Sequence, residues 1–184
     1  MMELSAMEKR EIEKKVEQLL VDYGYYQEEG GYFDIVRFAR SHGFFVGIGS
    51  LEDSEDGYLI MQPNSAGTIR DNGYGEKVIV VNKDRPAPYN RFVVAHELGH
   101  SFLHYKGEKV YLHREHRKGK SEEENDADYF AAALLMPREA FRRSYQKLAD
   151  RGVPVKDRHI RLAAEYRVPV ESARRRIEEL DLIA

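Results

Sequence analysis

The run His96-Glu97-Leu98-Gly99-His100 combines two histidines and a glutamate at a spacing that could do chemistry. Residues four apart lie one above the other on an α-helix, so both imidazoles can bind one metal ion. The glutamate between them is then close enough to accept a proton from a water that the metal activates. Apolar residues just before the run indicate a helix anchored in a core. The run therefore predicts a hydrolytic zinc site with Glu97 as its base.

A catalytic zinc site needs a third protein ligand and leaves a fourth position for water or substrate. His104 continues the four-residue spacing, but three successive turns of one straight helix cannot surround a tetrahedral ion. We therefore expect His104 to support the site or to pack against it. The other candidates are Glu123 and Glu124, which both lie near the buried face of the next predicted helix.

Glu124 is favoured over Glu123 because Asp128 follows it four residues later. The pair resembles the glutamate-zincin pattern, in which the glutamate binds zinc and the later acidic residue orients a ligand histidine. A plainer interpretation competes with this one. The run from Ser121 to Glu124 has the form of a capping box, in which the glutamate would only satisfy the start of its helix.

Short strands and longer helices are predicted around these residues. The patterning predicts an α+β protein: a small, mostly antiparallel three-stranded sheet packed on helices, followed by a small helical C-terminal subdomain. A charged loop is expected at 107–120. The predicted strands are 44–48, 58–61 and 77–81, and the predicted helices are 5–22, 32–42, 90–104, 121–136, 138–150, 157–166 and 169–180.

Composition narrows the classes of protein that the chain can belong to. The sequence has 184 residues and no cysteine, which excludes disulfides and thiolate metal sites. Charged residues crowd the first twenty positions, and we find neither a signal peptide nor a membrane span, so we expect a cytoplasmic protein without membrane contact. The oligomeric state cannot be read from the sequence.

The C-terminal quarter carries a local excess of positive charge. Between Arg138 and Arg176 there are twelve Lys and Arg residues against five Asp and Glu, although the whole chain has a net charge of -3. The run at 162–168 resembles the first helix and turn of a helix-turn-helix module, and Pro169 follows it at once. The alternative function is therefore a DNA- or protein-binding regulatory module with a structural metal site. Solvated helix faces explain the same charge.

Two longer motifs resemble the ImmA/IrrE metallopeptidase family. The first is Arg91-Phe-Val-Val-Ala-His-Glu-Leu-Gly-His100 followed by Phe102-Leu-His104, and the second is Glu124-Asn-Asp-Ala-Asp-Tyr-Phe-Ala-Ala-Ala-Leu-Leu-Met-Pro137. The upstream strand that ends at Asn82 and the C-terminal helical segment also match in position. The resemblance extends from about residue 30 to the end of the chain, and residues 1–22 carry no motif of the family.

The resemblance implies a zincin-like core with one zinc ion on His96, His100 and Glu124. It assigns the general base to Glu97, and Asp128 and His104 are expected to support the ligands. Manganese or cobalt could replace zinc in such a site. The resemblance also implies an endopeptidase that cleaves a helix-turn-helix transcriptional repressor and so triggers a mobile-element or stress response.

Two further expectations concern organisation. We predict a metallopeptidase domain with its N-terminal helix at 1–140 and a helical subdomain that resembles a helix-turn-helix module at 141–184. An edge strand beside the cleft could pair with an extended substrate, and we assign that role to Lys77-Val78-Ile79-Val80-Val81. An ordinary strand within the sheet explains the same residues equally well.

Overall fold

The computed structural model describes residues 4–25, 31–61, 77–106, 111–116 and 121–182. Within these ranges the chain forms seven α-helices, four β-strands and one π-helical turn at His100–His104, which continues α3. The elements are α1 (Ala6–Tyr23), α2 (Ile35–Ser41), β1 (Phe45–Gly49), β2 (Glu55–Met61), β3 (Lys77–Asn82), α3 (Ala87–Gly99), β4 (Tyr111–His116), α4 (Glu122–Leu135), α5 (Arg138–Asp150), α6 (Val155–Tyr166) and α7 (Val170–Glu179).

The α+β class is confirmed, but the sheet differs from the predicted one. It has four strands in the order β1-β3-β2-β4. β1 runs parallel to β3, whereas β2 is antiparallel to both β3 and β4. The predicted three-stranded, mostly antiparallel sheet was therefore incomplete and missed a parallel pair. The crossover from β1 to β3 cannot be recognised from the local pattern, because strand pairing is decided by residues far apart in the chain.

The fourth strand lies inside the segment predicted to be a charged loop. β4 pairs with β2 in a register that places His113 opposite Leu59. The prediction of a loop at 107–120 is wrong for 111–116, and the remaining residues of that loop lie outside the described residues. β4 is the last strand on its side of the sheet as far as the described chain extends.

The position of β3 rules out the substrate-pairing role predicted for Lys77 to Val81. β3 lies between β1 and β2; Val78 to Val81 pair with both strands, and Lys77 pairs with β2. A strand needs a free edge to accept another extended chain. The plainer interpretation, a strand within the sheet, therefore holds for these residues.

Helix α3 is positioned by burial and by one close backbone contact. Every residue from Val93 to Gly99 is buried. A Cβ atom at Gly99 would lie 2.9 Å from Cα of Ala127 and 3.2 Å from its carbonyl oxygen, so only glycine leaves room here for α4. This close approach places the first turns of α4 beside the end of α3.

Contacts within the chain divide it into two compact units. The first is centred on Asp34–Asp128, and the second combines Ser5–Phe33 with Tyr129–Ala184. This division differs from the predicted domains in two ways. The boundary within α4 falls after Asp128 and not at residue 140, and α1 groups with the C-terminal helices. The carboxylate of Glu13 in α1 accepts hydrogen bonds from Arg176 and Tyr129 at 2.8 and 3.0 Å.

None of the helices in the described ranges has the length and apolar character that crossing a bilayer requires.

Candidate metal centre

His96 and His100 lie at the junction of α3 and the π-helical turn, and both are buried. The four-residue spacing places their Nε2 atoms 3.0 Å apart. Their exposed fractions are 2% and 0%, so the two rings face the inside of the first unit. The structure thus brings together the two histidines that the sequence pattern paired.

Glu124 lies at the start of α4 and directs its carboxylate to the same point. Its Oε2 is 3.2 Å from Nε2 of His96, and its Oε1 is 3.3 Å from Nε2 of His100. Glu123 is exposed. Ser121 Oγ accepts a hydrogen bond from the Glu124 main-chain N–H at 3.3 Å, so Ser121 caps the helix while the Glu124 carboxylate contacts histidines.

A third histidine, His113 on β4, joins this cluster. Its Nε2 is 2.8 Å from Oε1 of Glu124, and its ring stacks on that of His100 with centroids 3.7 Å apart. Sequence reasoning missed His113 because β4 was predicted to be a loop. The signal that could have revealed it is local: Val110 and Tyr111 favour a β-strand, and His113 follows two residues later.

The predicted supporting residues contact the outer nitrogens of the cluster. Asp128 Oδ1 lies 3.1 Å from Nδ1 of His96. His104 Nδ1 lies 3.3 Å from Nδ1 of His100, and its Nε2 lies 3.3 Å from Oδ2 of Asp126. The π-helical turn contributes to this arrangement, since its wider winding brings His104 beside His100; Tyr105 N–H closes the turn on the His100 carbonyl at 3.2 Å.

The geometry of the cluster suits a bound metal ion. One donor atom from each of His96, His100, His113 and Glu124 lies within 4.8 Å of all the others. Zinc–nitrogen and zinc–oxygen bonds of about 2.0–2.1 Å in a tetrahedron separate the donor atoms by about 3.4 Å. The pairs described above lie 2.8 to 3.3 Å apart when either oxygen of Glu124 is counted, close to that separation. Histidine nitrogens with one carboxylate are also a common zinc donor set.

Comparison with known proteins bears directly on this site. A protein-family model for the IrrE N-terminal-like domain, a peptidase family, matches residues 57–178. The match covers well over half of the chain and includes every residue of the cluster. The chain belongs to the IrrE N-terminal-like peptidase family. The resemblance noted in the sequence is thereby confirmed, and the family is one of metallopeptidases. A comparison with curated proteins found no match.

Glu97, the predicted base of this IrrE-like peptidase site, is fully buried next to the cluster. Its exposed fraction is 0%, and its Oε2 lies 2.9 Å from Nδ1 of His113. His113 therefore contacts the predicted base through one ring nitrogen and Glu124 through the other.

The protonation states of the IrrE-like site follow from burial and from its carboxylates. Burial lowers the pKa of His100, and the contact with Glu124 opposes this only in part. Burial also disfavours charge on His113, but hydrogen bonds to Glu124 and Glu97 outweigh it and raise the pKa of His113 to about 9. For Glu124, burial is outweighed by hydrogen bonds to His100, His113 and His96, so the pKa of this carboxyl is lowered. Glu124 is thus an anion, as a metal ligand must be.

Proposed function

We propose that this protein is a zinc-dependent endopeptidase that cleaves a helix-turn-helix transcriptional repressor inside the cell. One observation carries the catalytic part of the proposal. The two histidines of one helix and the carboxylate of another converge at Nε2 and carboxylate-oxygen distances of 3.0 to 3.3 Å, with a buried glutamate beside them. Membership of a metallopeptidase family supports the same reading. The repressor as substrate rests on the family resemblance alone.

In this proposal His96, His100 and Glu124 hold the ion. A bound zinc ion supplies Lewis acidity, which polarises the peptide carbonyl and lowers the pKa of water. The chain supplies the proton transfers. Glu97 accepts a proton from the attacking water at its carboxylate and delivers it to the departing amine nitrogen, as a general base that then acts as a general acid. Its burial keeps bulk water from competing for the carboxylate.

The outer contacts fix the two ligand histidines. Asp128 Oδ1 accepts the Nδ1 proton of His96, which leaves the Nε2 lone pair directed at the cluster. His104 and Asp126 form a second chain of contacts that reaches Nδ1 of His100. These contacts select the tautomer that a metal ligand requires.

The alternative, a DNA-binding regulatory module, has weaker support. Helices α6 and α7 are joined by a three-residue turn, as in helix-turn-helix motifs. On the exposed face of α7, however, Arg174 forms ion pairs with Glu171 and Glu178, and Arg176 is fully buried. This face therefore offers little free positive charge to phosphates. Salt-sensitive binding of duplex DNA by the full chain would favour the alternative.

The decisive experiment measures bound zinc and cleavage in matched variants. Wild-type protein should hold about one zinc per chain. Glu124→Gln should lose it to a chelator at a concentration that leaves zinc in Glu97→Gln and in the exposed control Glu123→Gln. Retention of zinc by Glu124→Gln under that challenge would move the third ligand elsewhere.

Cleavage is tested on purified helix-turn-helix repressors from the same genome, followed by intact-mass spectrometry. The wild type should produce two defined fragments from one repressor, and Glu97→Gln should produce none. If the same fragments also form with Glu97→Gln, Glu97 is not the general base. A panel of repressors left intact by zinc-loaded wild-type protein would count against the substrate class.

A further inference from the structure

The three histidines of the metal centre share one pattern of contacts. Each directs Nε2 inward, to within 3.3 Å of a Glu124 carboxylate oxygen. Each also places Nδ1 against an outer partner: Asp128 for His96, His104 for His100, and Glu97 for His113. An outer partner of this kind, above all a carboxylate, is what orients a histidine that binds a metal.

By this criterion His113 cannot be distinguished from the two histidines of the helix motif. Its contact with Glu97 at 2.9 Å is shorter than that of His96 with Asp128 at 3.1 Å. Its Nε2 is also the ring nitrogen nearest to Glu124, at 2.8 Å compared with 3.2 and 3.3 Å for His96 and His100.

A fourth protein donor changes what the site can do. Catalytic zinc sites keep a position for water or substrate, whereas sites with four protein ligands are closed. His113 adds a fourth donor atom to the cluster, and its Nδ1 lies 2.9 Å from the carboxylate of the proposed base Glu97. As a ligand, this single side chain would block both the open metal position and the base that hydrolysis requires.

We propose that His113 is a fourth protein ligand of the metal, so that the ion lies in a closed three-histidine, one-carboxylate set until β4 withdraws. The inference rests on the proposed metal site and adds a closed state to it. β4 is suited to withdrawal because within the described chain it is an end strand, paired with β2 alone. Hydrolysis then belongs to the state in which His113 has left both the ion and Glu97.

Counting imidazole ligands tests the proposal without any substrate. X-ray absorption at the zinc edge should find three imidazoles in wild-type protein and two in His113→Ala. Leu112→Ala is the matched control, because Leu112 is the neighbouring residue of β4 and its side chain is 54% exposed. Zinc in this control should keep three imidazole ligands. His113→Gln, which retains a donor for Glu97 but has no imidazole, should also show two.

The possible failures are distinguishable. Zinc bound by two imidazoles in the wild type, unchanged in His113→Ala, would overturn the fourth ligand and leave the proposed peptidase intact. Wild-type protein that binds no zinc would overturn the peptidase as well. Circular dichroism of each variant, compared with wild type, separates loss of a ligand from loss of the fold.

The closed state is tested by asking whether a small ligand can reach the metal ion. Acetohydroxamate added to the cobalt-loaded protein changes its visible spectrum only when a coordination position is available. We expect His113→Ala to bind it about tenfold or more tightly than the wild type, because apparent affinity falls by the fraction of molecules in the open state. Equal affinity for wild type, Leu112→Ala and His113→Ala would overturn the closed state.

Discussion

At the scale of single residues, the outer contacts of the histidines decide how firmly the centre holds a metal. Asp128→Ala removes the carboxylate that lies 3.1 Å from Nδ1 of His96. We expect zinc affinity, measured by chelator competition, to fall about 10- to 100-fold, the usual cost of losing such a partner. Asp126 is one step further out, since it reaches His100 only through His104. Asp126→Ala should therefore lower zinc affinity less than Asp128→Ala does. A larger loss of zinc affinity in Asp126→Ala would contradict this chain of contacts.

The pKa of His113 predicts a pH dependence for the metal-free protein. Carboxylates from two helices, Glu97 and Glu124, contact the ring, and the rings of His96 and His100 lie beside it with centroids 5.9 and 3.7 Å away. Burial lowers the pKa of His113, but the two carboxylates together outweigh it and raise the pKa from 6.5 to about 9. The folded state therefore binds the proton more tightly than the unfolded state does.

The sign of the effect follows from this difference. The stabilisation is fully present below pH 6.5 and is lost as the pH rises through about 9. Thermal unfolding of metal-free protein should show a melting temperature that falls across this window more steeply in the wild type than in His113→Gln. Parallel profiles for the two proteins would show that His113 does not carry the charge.

Only part of the site could be predicted from the sequence, and the positions of its residues explain why. His96, Glu97 and His100 share one helix, so their relation depends on local geometry that a sequence shows directly. Glu124 could be separated from Glu123 only through the pair that it makes with Asp128. His113 comes from a strand whose position depends on pairing with β2, and nothing local places it beside α3.

At the scale of secondary-structure elements, the contact between α3 and α4 depends on Gly99. A Cβ atom there would approach backbone atoms of Ala127 at 2.9 to 3.2 Å, which a flexible side chain cannot relieve. Gly99→Ala should destabilise the protein by about 1–3 kcal/mol, as overpacking typically does, although alanine favours helix.

The same substitution should also weaken zinc binding, because a shift of α4 moves Glu124 relative to His96 and His100. Urea unfolding and chelator competition measure the two effects. Ser101→Ala, two residues later and half-buried, is the control and should change neither strongly. A Gly99→Ala variant with unchanged stability would show that the two helices can separate without cost.

Helices were easier to predict than the sheet. α5 was predicted with the bounds that it has, Arg138–Asp150, and α1 and α7 differ from their predictions by only one residue at either end. Helical periodicity is a local property. The sheet order places β3 in the centre and β4 at the end, which results from pairing between segments far apart in the sequence. The substrate-pairing role assigned to β3 failed for that reason.

At the scale of the whole molecule, the second unit is held together by a buried charge network. Arg176 is 0% exposed and donates hydrogen bonds to Glu13 Oε1 at 2.8 Å and to the Met136 carbonyl at 3.2 Å. Burial raises the pKa of the neighbouring Glu179 carboxyl. Removing one member of a buried ion pair leaves a charge without compensation.

Arg176→Met should therefore lower the free energy of unfolding by about 3–5 kcal/mol. Urea denaturation followed by circular dichroism measures the change. The matched control is Arg174→Ala, two residues away on the same helix, whose ion pairs with Glu171 and Glu178 are exposed to solvent and should contribute far less. Adding Glu13→Gln to Arg176→Met should restore part of the loss, and further destabilisation by the double variant would contradict the network.

The pairing of Glu13 with Arg176 also sets an order of events during protein synthesis. The two residues are 163 positions apart, so at typical rates of translation α1 leaves the ribosome on the order of 10 to 30 seconds before its partner exists. Throughout that interval Val16 and Leu20, both 1% exposed in the folded protein, lack the C-terminal helices of their unit. The nascent α1 is thus a segment for chaperones to shield, and the second unit is completed only when the last helix has been made.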